Sequence, residues 1–232
     1  MARAPGRRPA LMGVCEGGLL AAFLAAVAPA RVPGLVLAVT PVDIDAAPDA
    51  ALTRLVRSFT PEMLTATIDH LGGLPGAALA AAFQNLTPSR TLAKYTLDLL
   101  RMDGRPDRLA HFLRMERWLA DRPDHPAEAA KQLLVEIYNR NAFARGDLTL
   151  DGAPARLSDI VAPTLAVVGL RDHLVPPASA RGAAGRTAGP YAEIALDAGH
   201  IGVFVSRRAR GRVAAALSDF LTSQAVLTRT RV

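Results

Sequence analysis

Three side chains in this sequence could together perform nucleophilic chemistry: Cys15 in GVCEGG (residues 13–18), Asp172 in GLRDHLVPP (169–177) and His200 in DAGHIGVF (197–204). A free thiol has a pKa of about 8.5 and is mostly protonated at neutral pH. A neighbouring imidazole converts it to the reactive thiolate, and a carboxylate behind the ring holds the imidazole in the useful orientation. Each residue also has a plainer reading. A lone cysteine in an alanine-rich stretch is more often a small core residue, an aspartate ahead of HLVPP can start a turn, and a Gly-flanked histidine can close a loop. Their order along the chain and their shared context favour chemistry, because each follows a predicted strand.

The local pattern G-x-C-x-G, Gly13 to Gly17, lies between the apolar run PALMGV (9–14) and an Ala/Leu-rich helix expected over Glu16–Val27. Glycines allow the sharp strand-to-helix turn on which a nucleophile projects. The helix N-terminus then favours a thiolate beside it. The N–H of Glu16 would point at a developing oxyanion. GLVLAVT (34–40) and PTLAVVG (163–169) read as strands buried on both faces, and YAEIAL (191–196) as a fourth. PASARGAAGRTA (177–188) reads as a weaker helix, and SRRARGRVAAALSDFLTSQ (206–224) as an amphipathic closing helix. Alternating strands and helices imply an α/β fold with a parallel sheet of about four strands, whose carboxyl-end loops share one crevice. The order nucleophile, acid, histidine is that of α/β-hydrolases.

Between these halves, residues 44–155 lack a convincing strand core. PEMLTATIDHL, PGAALAAAFQNL, TLAKYTLDLL, DRLAHFLRMERWLAD and PAEAAKQLLVEIYNRN read as amphipathic helices punctuated by Pro61, Pro75, Pro88, Pro106 and Pro126. GDLTLDGAPARLSDI reads as a short hairpin turning near Asp151-Gly152. The expected organisation is therefore a core of residues 1–43 and 156–232 with a helical cap inserted over 44–155. Asp43, after the second strand, is a rival to Asp172 as the acid. His173 is expected to point elsewhere. His70, His111 and His125 read as surface or core residues, and Trp118, Phe112 and Tyr138 as cap core.

Composition narrows the partners. The net charge is +6, but arginine is spread along the chain and no basic helix carries interleaved aromatics, which argues against nucleic-acid binding. A mildly basic surface still suits an anionic ligand such as a phosphorylated cofactor tail. No metal-ligand spacing is present, and one cysteine allows no internal disulfide, which fits a reducing compartment. No apolar run reaches the length of a transmembrane helix. Residues 1–30 imitate a secretion signal, but Glu16 and the Gly17-Gly18 pair interrupt its apolar centre.

The segments GVCEGG, LAVTPVDI, MERWLADRPDHPAEAAKQLLVEIYNRNAFARGDLTLDG, APTLAVVGLRDHLVPPASA and DAGHIGVFVSRRAR closely resemble polyhydroxyalkanoate synthases, the short-subunit type that works with a separate partner subunit. The resemblance runs from about Leu11 to Leu221. It implies an acyltransferase of the α/β-hydrolase superfamily that polymerises (R)-3-hydroxyacyl-coenzyme A into polyester and releases coenzyme A. Coenzyme A enters as a thioester substrate, with no separate cofactor. Cys15 would carry the growing chain, His200 would be the general base, and Asp172 would orient His200 or help activate the substrate's 3-hydroxyl. A cytoplasmic protein on the surface of polyester inclusions and a homo-oligomer are also implied. The same triad would serve a thioesterase or polyester hydrolase, since only the acceptor differs. A non-catalytic granule-associated protein is the third reading.

The sequence departs from that family at its front. Members carry several strands and helices before the nucleophile, at around 30 residues per crossover, so about 100 residues are expected to be missing and the fold truncated. The ALMGV strand is then expected at an uncovered sheet edge, favouring association or poor solubility. The loop donating a second oxyanion N–H is expected to be missing too, and losing such a donor costs a factor of about 100 to 1,000 in rate.

Overall fold

A computed structural model describes residues 9–86, 94–98, 100 and 104–229 of the chain. Among these residues, four strands form one parallel sheet: β1 (Leu11–Val14), β2 (Leu35–Ala38), β3 (Thr164–Gly169) and β4 (Tyr191–Leu196), in that spatial order. The register aligns Val14 with Ala38, Ala38 with Val167, and Val167 with Ile194. The carboxyl ends of the strands therefore meet along one rim. β2 and β3 are buried at every position, as continuous runs of branched and small apolar residues require. β1 and β4 flank them and expose part of their length.

Helix α1 spans Glu16–Val27, as its sequence predicts. It buries Leu19, Ala22, Phe23 and Ala26, and Phe23 meets Phe143 edge-to-face with centroids 4.9 Å apart. The closing helix, Arg207–Arg229, packs Ala209 and Val213 into a cluster with Val36, Val167 and Leu196. The helix expected over 177–188 is only Pro177–Ala180, because the glycines that follow break it and Gly185 takes φ 69°. The hairpin forms as expected, Thr149–Leu150 against Ala153–Pro154, with Asp151 and Gly152 both at positive φ.

The chain divides into two compact units, Met1–Arg54 with Glu136–Val232, and Leu55–Val135. The second is narrower than the segment 44–155 marked out from the sequence. Ile44, Ile137 and Phe143 belong to the sheet-bearing unit and are buried.

Within the second unit, helix Pro61–Leu71 starts at Thr60, whose hydroxyl accepts from the Met63 N–H at 3.2 Å, and ends at left-handed Gly72. Helices Gly76–Leu86 and Pro106–Ala120 also form where expected. Gly73–Leu74 pairs with His125–Pro126, and Lys131 bridges Asp69 at 3.0 Å and Glu128 at 2.6 Å. Of the predicted segment 91–100, residues 91–93 and 99 lie outside the described residues, as does Pro88.

The glycines at the β1–α1 turn separate by function. A Cβ on Gly13 would lie 2.1 Å from the Gly17 carbonyl oxygen, and one on Gly18 would lie 1.8 Å from Thr40 Oγ1. A Cβ on Gly17 would meet nothing within 4 Å. The second required glycine is thus Gly18, one position beyond the one the G-x-C-x-G pattern marks. Gly13→Ala and Gly18→Ala are each expected to destabilise the protein by about 1–3 kcal/mol through overpacking. Gly17→Ala, in the first turn of a helix, should be neutral or stabilising by up to about 1 kcal/mol. Thermal unfolding of the three variants checks this, and equal melting temperatures would refute the assignment.

Candidate active site

Cys15 ends the β1 turn with φ 52° and ψ −120°, a conformation that side-chain-bearing residues avoid. Its N–H donates to the Ala38 carbonyl at 2.9 Å and its carbonyl accepts from the Gly18 N–H at 2.9 Å. These bonds hold the residue as the N-cap of α1, half-buried, just beyond the end of β1 and packed against Ala166, Val168, Val175 and Ala180. Glu16 is the first residue of α1, and the first-turn N–H groups of a helix lack intrahelical acceptors.

Asp172 follows β3 and is 4% exposed. Its Oδ1 accepts from the Leu174 and Val175 N–H groups, both at 2.9 Å. Its Oδ2 lies 2.7 Å from His200 Nδ1. Cys15 is among the groups that act on the charge of the His200 ring and raise its pKa. With Nδ1 engaged by Asp172, Nε2 is the nitrogen left for the sulfur. The structure therefore pairs two of the remote residues, Asp172 and His200, directly.

A clamp that the sequence did not signal secures the two loops. The Arg171 N–H donates to the Ala198 carbonyl at 3.0 Å. The Arg171 guanidinium donates to the Asp197 carbonyl at 2.7 Å and pairs with the Asp197 carboxylate at 2.7 Å. Gly169 permits this approach, since a Cβ there would lie 2.9 Å from the Ala198 oxygen.

Burial of His200 disfavours its charged form, but the hydrogen bonds and charges of Asp172 and Cys15 outweigh it and raise its pKa to about 9. The imidazolium is thus the favoured partner of the site at neutral pH.

The sequence suggests Tyr138 as cap core. It belongs instead to the sheet-bearing unit and is 5% exposed. Burial raises its hydroxyl pKa, and the charges of Cys15, Glu16 and Asp172 add to that rise, which places the phenol in the electrostatic neighbourhood of the site. Spacing could not reveal this, because Tyr138 is remote in sequence from all three.

Asp43, the rival acid, serves elsewhere. It accepts from Asn141 Nδ2 at 2.8 Å and pairs with Arg186 at 2.9 Å, while Asn141 Oδ1 accepts from the Ile44 N–H at 3.0 Å. His173 is exposed, as are His70 and His111, and His125 is half-buried. Trp118 is 61% exposed, so it is not a core residue of its helix. Phe112 stacks edge-to-face with Tyr95.

The model of a family described as "alpha/beta hydrolase fold" matches residues 1–206. The chain is 35% identical over 215 residues to a protein of Allochromatium vinosum named poly(3-hydroxyalkanoate) polymerase subunit PhaC, covering 92% of this chain and 59% of that one. It is 33% identical over 218 residues to the protein of the same name from Thiocystis violacea, with the same coverage. The chain thus spans about three-fifths of the length of these curated relatives. Among solved structures, it superposes on a hydrolase from Pseudomonas aeruginosa with TM-score 0.54 at 22% identity, covering 93% of this chain and 65% of that one. It superposes on a putative non-heme bromoperoxidase, BpoC, of Mycobacterium tuberculosis with TM-score 0.51 at 22% identity, covering 94% and 68%. These two share its fold.

Because His200 sits above its ordinary value, the charged ring contributes stability that is whole below about pH 6.5 and is lost as pH rises through about 9. Asp172→Asn removes the principal partner that raises it. NMR titration of the His200 ring should show the pKa falling toward or below its ordinary value in this variant. An unchanged titration would contradict the observed pairing.

Proposed function

The chain belongs to the α/β-hydrolase fold family, and from that premise we propose that it acts as an acyltransferase of the polyhydroxyalkanoate-synthase kind. The substrate would be an (R)-3-hydroxyacyl-coenzyme A thioester, and the product polyester with release of coenzyme A. The observation that carries this reading is the buried Asp172 carboxylate 2.7 Å from His200 Nδ1, with Cys15 among the groups that raise the pKa of the ring. The names of the relatives support the choice of reaction.

In this reading the proton of the Cys15 thiol already rests on His200, whose ring is an imidazolium at neutral pH, and the Sγ thiolate attacks the thioester carbonyl. The Glu16 N–H, at the start of α1, faces the oxyanion that develops. Collapse breaks the carbon–sulfur bond to coenzyme A, whose thiolate takes the proton from His200. The acyl group is left on Cys15 as a new thioester. The 3-hydroxyl of a second hydroxyacyl-coenzyme A then attacks that carbonyl while His200 accepts its proton. An ester forms, the Cys15 sulfur leaves, and the lengthened chain rests on coenzyme A until Cys15 takes it again. A thioester suits this cycle because it stays more reactive toward an alcohol than an oxygen ester does. Asp172 keeps the ring in the tautomer that presents Nε2 to the sulfur.

Two surfaces of the sheet-bearing unit support association with a further polypeptide or a polyester surface. β1 is an edge strand among the described residues, with Met12 and Val14 exposed. Leu20, Leu24 and Val27 expose one stripe of α1.

Cys15→Ala is expected to abolish coenzyme A release from 3-hydroxybutyryl-coenzyme A, and Asp172→Asn to reduce it by about 10²- to 10⁴-fold. Thiol detection measures the release. Polymer in the product identifies a synthase, whereas free 3-hydroxy acid identifies a hydrolase with the same triad. No release by the wild-type chain would overturn the catalytic reading in favour of a binding protein.

A further inference from the structure

The closing helix begins with RRARGR, four arginines in the six residues 207–212. Arg207, Arg208, Arg210 and Arg212 are all exposed, and among the described residues none makes an ion pair or a side-chain hydrogen bond. Elsewhere in the same unit, Arg140, Arg145, Arg171, Arg181 and Arg186 each hold a carboxylate within 3.0 Å. The single acid of the closing helix, Asp219, lies seven residues beyond Arg212. Cations at a helix start oppose the helix dipole, and Arg208 and Arg212 are like charges four residues apart. Both arrangements cost stability, so the cluster is not explained by the needs of the helix.

Its location relates it to the site. β4 ends at Leu196, His200 follows on the carboxyl rim of the sheet, and the short helix Gly202–Val205 leads directly into Arg207. Ala209 and Val213 then pack against the sheet beside Ala198 and Val203. The arginines therefore follow directly on the loop that carries His200, exposed on the first turns of a helix whose Ala209 and Val213 face the core. Arg207 is seven residues from His200, which bounds their separation to about 25 Å at full extension and less through a helical turn. The pantetheine arm of coenzyme A, an extended chain with two amides, bridges a gap of that order between its sulfur and its phosphates.

We propose that Arg207, Arg208, Arg210 and Arg212 bind the phosphates at the nucleotide end of a coenzyme A thioester whose acyl group lies at Cys15. This rests on the reading that the acyl donor is such a thioester. Guanidinium groups match phosphate oxygens in charge and geometry, and a cluster of them following the His200 loop draws a multiply charged anion toward the site.

The test compares two donors, 3-hydroxybutyryl-coenzyme A and the phosphate-free N-acetylcysteamine thioester of the same acid. In Arg207→Gln/Arg208→Gln/Arg210→Gln, KM for the coenzyme A thioester should rise about tenfold, summing weak exposed pairs. Turnover of the phosphate-free donor should stay unchanged. The corresponding triple lysine variant should retain most of the affinity, and added salt should weaken the wild type more than the glutamine variant. Equal effects on both donors, or none on the coenzyme A thioester, would overturn the proposal. If the wild type turns over neither donor, the catalytic reading has failed separately, and calorimetric titration with free coenzyme A decides. Binding that weakens in the glutamine variant sustains the phosphate site, and binding that does not weaken, or no binding by the wild type, rejects it.

Discussion

The site depends on one backbone conformation, that of Cys15. A non-glycine residue at φ 52° and ψ −120° costs of order 1–3 kcal/mol and persists only where its surroundings over-determine it. Here they do. The Cys15 N–H is tied to the Ala38 carbonyl, so β2 dictates where the strand stops. Gly13 allows the α1 backbone to fold back on the turn, and Gly18 allows α1 to lie against Thr40. Strain at Cys15 is thus balanced by close packing on both sides, and its half-buried side chain packs against the cluster of Ala166, Val168, Val175 and Ala180.

Asp172 and His200 are paired through opposing electrostatic effects. Burial of Asp172 would be costly for an isolated carboxylate. Two backbone N–H donors and the His200 ring compensate it. Burial likewise works against the His200 cation, and the charges of Asp172 and Cys15 reverse the outcome. The Arg171–Asp197 clamp joins the two loops outside the site, at an exposed position where an ion pair adds little stability but fixes geometry.

Asp43 shows how little residue type alone decides. It follows a strand on the same rim, yet its carboxylate binds Asn141 and Arg186, and a Cβ on Gly182 would strike it at 2.5 Å. Those contacts join three segments of the sheet-bearing unit, while the imidazole of His200 pairs with Asp172 instead. Tyr138 makes the converse point. Its helical period suggested core packing, and it is buried, but among the charges of the site.

Much was legible from local pattern. The strands, α1, the hairpin turn and the order of nucleophile, acid and histidine follow from apolar periodicity and glycine placement, which are properties of a few neighbouring residues. The helix over 177–188 failed because glycine at 185 outweighs alanine content. Trp118 failed because an amphipathic period marks an apolar face without fixing what that face meets. The sequence by itself determined which elements form and that the candidate groups fall at strand ends. Tertiary structure alone decided which carboxylate meets the imidazole, which glycine carries the close approach, and which tyrosine joins the site. Those outcomes depend on strand register and on contacts between segments as far as 143 residues apart, and no local spacing encodes them.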